Sequence, residues 1–115
     1  LMCHYRHHAH ADPFHLPGLQ DVTAHVDFTA VASGAETGGV DVLCYANQAA
    51  FLIGAGLLER LENGMKKNAA DTGQLQAVQT LLSPAEMGEL FKVMVLGYRI
   101  EPPAFMSAID RSGRL

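Results

Sequence analysis

Along the first 45 residues the spacing of apolar positions changes twice. Leu1–Tyr5 is short and strand-like. His7–Gly18 carries Pro13, Pro17 and Gly18 and reads as a loop, and Leu19–His25 as extended or irregular chain. From Phe28 the period becomes helical, with Phe28, Val31, Ala32 and Ala35 at i, i+3, i+4 and i+7 behind Asp27 as N-cap. Gly38–Gly39 stops that helix, and Val40–Tyr45 is a nearly continuous apolar strand. Helix, turn and strand in this order make half of a βαβ crossover, which predicts a parallel α/β sheet with one open edge.

The pattern continues with a helix over Gln48–Glu62, apolar all round from Ala49 to Leu58 and therefore expected to be buried there. Gly54 and Gly56 each cost about 1 kcal/mol inside a helix and predict close packing by another backbone. Asn63–Gly64 is expected to end it, and Gly64–Gly73 to be a polar connection with Lys66, Lys67 and Asn68. Gln74–Leu82 reads as a surface helix with Leu75, Val78 and Leu82 inward. Ser83-Pro84-Ala85-Glu86 has the form of a capping box and predicts a short further helix. Phe91–Leu96 is an interior strand, Pro102–Pro103 ends any pairing, and Ser107–Leu115 reads as a frayed tail.

Composition narrows the function classes. An apolar content of 49% with 17% charged residues describes a folded chain. A net charge of -4 argues against a nucleic-acid surface. No apolar run approaches the roughly 20 residues of a membrane span. The start at Leu1, in strand-like residues, suggests a parent chain extending upstream. Cys3 and Cys44 form no CxxC motif and read as free thiols of a cytosolic protein, both in predicted strands.

Candidate chemistry is sparse. All six histidines lie in the first 25 residues, and an extended run would put His4, His8 and His10 on one face, where three imidazoles could hold a metal. A solvated strand end and loop explains them without one, and no Cys or carboxylate spacing supports a site, so no metal is expected. His25 and Asp27 pair a potential base with a carboxylate, although N-capping already accounts for Asp27. Gln48 either caps its helix or reaches into a cleft. Glu89 and Lys92 flank the last strand as surface charges. No Ser-His-Asp grouping, P-loop or paired-carboxylate motif is present.

Three blocks carry a resemblance: DVTAHVDF at 21–28, NQAAFLIGAGL at 47–57 and EMGELFKVMVLG at 86–97. After the opening LMCHYRHHAHADPF, their order resembles the C-terminal part of the MidA family of S-adenosylmethionine (SAM)-dependent methyltransferases. The weight falls on Thr23, Val26, Asp27 and Phe28, then Gln48, Phe51 and Leu52, then Met87, Gly88, Glu89, Phe91 and Lys92. The resemblance implies the C-terminal portion of a class I (Rossmann-like) methyltransferase fold with added helices, over residues 1–99, followed by an extended tail at 100–115. It implies methyl transfer from SAM to a protein, with arginine of a respiratory complex I subunit as the eukaryotic example. It also implies a cytoplasmic location in bacteria and a mitochondrial one in eukaryotic relatives.

The family's glycine-rich SAM motif would lie upstream, since no GxGxG pattern occurs in the 115 residues. Cofactor contacts are therefore expected outside this chain, and the chain alone is expected to be inactive. Within it, the resemblance makes His25, Asp27, Gln48 and Glu89 the candidates for one wall of the substrate cleft. Asp27 and Glu89 would supply electrostatic help to an aligned acceptor. The rival readings are a non-catalytic interaction module for an assembly partner and a His-rich metal-binding domain, and in any of them the open sheet edge offers a route to a homodimer.

Overall fold

The computed structural model describes residues 1–67 and 72–115. Met2–Tyr5 (β1) turns back at once into His8–His10 (β2), with Tyr5 opposite His8 and Cys3 opposite His10. Arg6 and His7 both have positive φ, 45° and 69°, the geometry of a two-residue type I′ hairpin. Asp21–Thr23 (β3) pairs on the other side of β1, also antiparallel. The expected loop over 7–18 thus opens with a strand, because the hairpin lacks the Asn-Gly signature that announces such turns.

Phe28–Thr37 (α1) forms as its periodicity predicts, and the Asp27 carboxylate accepts the Ala30 N–H at 2.9 Å. Its end is a Schellman motif. The Val40 N–H reaches Ala35 O at 2.9 Å and the Gly39 N–H reaches Glu36 O at 3.0 Å, with Gly39 at φ 74°. Asp41–Asn47 (β4) follows, but α1 does not complete a crossover. β3 pairs only with β1, and β4 pairs antiparallel with Lys92–Gly97 (β5). All strand pairings among the described residues are antiparallel, so the expected parallel sheet is not what these strands form. Leu43 is the extra residue of a bulge in β4, and its side chain lies over Gly97.

The predicted helix over 48–62 is two helices, Gln48–Gly54 (α2) and Leu57–Lys67 (α3). Gly56 takes φ 91°, which lets the chain break between them. Gly54 faces the Phe105 side chain rather than another backbone. Neither Asn63 nor Gly64 ends α3. Residues 68–71 of the expected connection lie outside the described residues. Thr72–Leu82 (α4) holds the predicted surface helix. α2 is not the buried helix expected from its apolar run, since none of its residues is fully buried and Ile53 is 47% exposed.

Two further expectations are corrected. Residues 84–90 form successive turns instead of a helix. Ser83 O accepts both the Glu86 and the Gly88 N–H, while Gly88 O and Phe91 O are taken by the N–H groups of Ala49 and Gln48. The first turn of α2 captures the carbonyls that a helix here would use. The tail is not extended either. Ala104–Ile109 (α5) packs on α2 and β4, with Phe105 5.8 Å from Phe51, and Ser112–Arg114 is a 3-10 turn.

Among the described residues the buried set is small: Cys3, Cys44, Ala46, the glycines Gly88 and Gly97 and, among polar residues, Asn47. Phe14, Leu90 and Leu19 stay 84%, 70% and 67% exposed. The radius of gyration is 17.7 Å, against about 13 Å for a compact chain of this size. Among the described residues no helix is long and apolar enough to cross a membrane.

Candidate functional site

The polar centre of the molecule lies where β4 runs into α2. Asn47 is 4% exposed and closes the strand. Its amide oxygen accepts the Ala50 N–H at 2.8 Å, so Asn47, not Gln48, caps α2. Its Nδ2 donates to the Glu89 carboxylate at 2.6 Å. Gln48 donates through Nε2 to Leu81 O at 3.0 Å, at the end of α4. One dipeptide thus joins β4, α2, α4 and the 83–91 turn.

Of the four predicted cleft residues, the structure brings Gln48 and Glu89 to this junction and leaves His25 and Asp27 elsewhere. Asp27 is exposed and occupied as the cap of α1. His25 is exposed and borders a shallow depression of about 350 Å³ with Leu1, Met2, Thr23 and Ala24. Glu89 is itself exposed, although the amide it holds is buried.

A second latch was not anticipated. Asp110 accepts the Tyr45 N–H at 2.8 Å, the Ser112 N–H at 3.1 Å and the Ser112 hydroxyl at 2.6 Å. Partial burial works to raise its pKa. The hydrogen bonds from Ser112, Tyr45 and Arg111 outweigh that and hold the carboxyl below its ordinary value. Burial, and then the Asp110 charge, push the Cys44 thiol up. Both cysteines are free and buried. Local signals for the missed groups exist in the sequence: Asn is a favoured N-cap, and Asp-x-Ser is an Asx-turn pattern.

The histidines are separated by the hairpin. His8 and His10 lie opposite Tyr5 and Cys3, whereas His4 points to the other face opposite Ala9. His10 Nδ1 accepts the Asp12 N–H at 3.2 Å, and its ring meets His15 edge-on at 5.3 Å. Among the described residues no three His, Cys, Asp or Glu side chains are grouped to hold a metal ion.

Nor do these residues make a self-contained SAM cradle. Such a cradle needs a strand, a glycine-rich turn and free helix N–H groups. β3 leads to α1 and β4 leads to α2 without a glycine between them. The first N–H groups of α2 are already taken by Phe91 O, Gly88 O and the Asn47 side chain.

A family profile described as "Putative S-adenosyl-L-methionine-dependent methyltransferase" matches residues 1–46. The chain is 45% identical to a crystal structure from Burkholderia thailandensis, described as a COG1565 superfamily member and "likely methyl transferase" bound to S-adenosyl-homocysteine. The TM-score is 0.77, over 99% of this chain and 30% of that one. A native crystal structure of a COG1565 superfamily protein from the same organism is 46% identical, with a TM-score of 0.83 over 99% of this chain and 31% of that one. The chain therefore spans about a third of the length of the structures it resembles. No curated protein matches it.

Proposed function

We propose that this chain is the C-terminal part of a SAM-dependent methyltransferase, with the cofactor held mainly by residues outside it. The observation that carries this reading is the 45% identity, sustained along 99% of the chain, to a structure bound to S-adenosyl-homocysteine. The absence of a glycine-rich cradle among the described residues supports placing the cofactor elsewhere. In this reading the β4–β5 pair and the helices packed on it are a Rossmann-like fold's later part. In this reading Gln48 and Glu89 stand at the wall of the acceptor cleft, with His25 and Asp27 on the segment that leads into α1.

A finer reading rests on the resemblance of residues 21–28, 47–57 and 86–97 to the MidA family. It makes the acceptor a protein arginine, with a respiratory complex I subunit as partner, in the bacterial cytoplasm or the mitochondrion. A non-catalytic docking module is the second reading, favoured by the exposure of Phe14, Leu19 and Leu90.

The deciding experiment is a calorimetric titration of SAM into the monodisperse 115-residue chain and into a longer protein that contains it. The expected result is no saturable heat with the chain and one-to-one binding with the longer protein. One-to-one binding to the chain alone would overturn the proposed division of the cofactor site. No binding by either would favour the docking module.

A further inference from the structure

At the C-terminal end of β4 lies a cleft of about 220 Å³ that the methyl-transfer reading leaves unused. It is lined by Tyr45, Ala46, Asn47, Lys92, Arg111 and Arg114. Three of the chain's eight Lys and Arg residues gather there, on a chain whose net charge is -4. No carboxylate lines the cleft.

The fold fixes the origin of each cation. Lys92 is the ladder partner of Asn47. Arg111 is tied to the strand by its own N–H, which donates to Tyr45 O at 2.8 Å. Arg114 follows in the 3-10 turn, its N–H bonded to Arg111 O at 3.0 Å. Arg111 precedes the 3-10 turn as its N-cap and Arg114 is the turn's last residue, and both line the same cleft. Like charges so placed repel unless a counter-charge sits between them.

The chain does not supply that counter-charge. Neither guanidinium has a partner among the described residues. The two nearby carboxylates are engaged elsewhere, Asp110 with Tyr45 and Ser112, and Glu89 with Asn47. The Lys92 ammonium donates to Glu89 O and has further N–H groups to give.

We propose that this cleft binds an oxyanion, a phosphate or carboxylate group of a small ligand, through Arg111, Arg114 and Lys92. Guanidinium forks match the paired oxygens of either group. The volume suits the anionic head of a ligand and a few attached atoms. The inference does not depend on the methyltransferase reading, since no cofactor contact is assigned to these residues.

The test is a two-dimensional NMR titration of the monodisperse chain with inorganic phosphate, and in parallel with malonate, at constant ionic strength. Saturable shifts at Asn47, Lys92 and Ser112–Arg114 are expected, with half-saturation below about 10 mM. Arg111→Gln and Arg114→Gln should each weaken binding about tenfold. Arg99→Gln, whose guanidinium lies 5.0 Å from the Tyr98 ring and outside the cleft, should leave it unchanged. Tighter phosphate binding would assign a phosphate ligand, and tighter malonate binding a carboxylate. Non-saturating shifts, or equal weakening by Arg99→Gln, would overturn the site. The Arg114 side chain has no partner among the described residues, so that variant remains a valid test if Arg111→Gln unfolds.

Discussion

The N-terminal sheet and the β4–β5 hub are both antiparallel, yet they are held together in different ways. Around β1 the links are ladder bonds and one side-chain bond, from the Thr23 hydroxyl to Met2 O at 3.1 Å. Cys3 is the only residue of that sheet that is fully buried, and the hairpin places Arg6 and His7 in a left-handed conformation. Around β4, side-chain bonds join positions 65, 42 and 33 residues apart: Tyr45–Asp110, Asn47–Glu89 and Gln48–Leu81. Apolar pattern produces strands in both regions, but the hub's three polar ties each span 33 residues or more, against 21 for Thr23–Met2. The Asn47–Glu89 and Gln48–Leu81 ties are partly buried and therefore costly to lose.

That contrast can be broken most strongly at Asn47. Asn47→Ala removes the α2 cap and the Glu89 tie together, and should destabilise the chain by about 2–3 kcal/mol, read as a lower urea midpoint. A loss under about 0.5 kcal/mol would mean that the junction is not the anchor described. Gly88→Ala comes next, at about 1–3 kcal/mol, because its Cβ would meet the Leu82 carbonyl. In the other region, replacing Arg6-His7 with Asn-Gly should raise stability by about 0.5–1 kcal/mol by relieving two left-handed non-glycine residues. Neutrality there would show that the turn is not strained.

Asp110 gives a pH test of the hub. Its folded pKa lies below the ordinary carboxylate value of about 3.9, so the protonated form is disfavoured in the folded state. Its contribution is fully present above that ordinary value and fades as pH falls through the lower folded pKa. Asp110→Asn should flatten this acid limb of the stability curve, and an unchanged limb would remove Asp110 from the account. The smallest effect sharpens the comparison directly. Cys3 and Cys44 are equally buried, so thiol labelling reports local opening. Cys3 should label about tenfold faster, and the raised Cys44 pKa slows its thiolate chemistry further. Equal rates would mean that the two regions open as one unit.

Much of this organisation was legible where the signal is local. Asp27 capping, the Gly38–Gly39 stop, the surface helix ending at Leu82 and the strand after Phe91 all follow from neighbours within a few residues. The 6–7 hairpin escaped because Arg-His carries no turn signature. The capping box at Ser83 was misleading because the carbonyls beyond it serve α2. The C-terminal helix escaped because its packing partners, α2 and β4, and the Asp110 latch to Tyr45, lie far back in the chain. Of the candidate residues, Gln48 and Glu89 meet at the β4–α2 junction while His25 and Asp27 do not, and Asn47 and Asp110, which organise their surroundings, were not singled out from the sequence.

By itself, the sequence determined that α1, β4, α4 and β5 form, and where helix α1 starts and stops. These depend on side-chain period and local hydrogen bonding, which act over three or four residues. Tertiary structure alone decided that the strands pair antiparallel, that Asn47 rather than Gln48 caps α2, that His4 parts from His8 and His10, and that three cations share one cleft. Those outcomes depend on which distant backbone groups compete for the same partner, and local pattern carries no record of that competition.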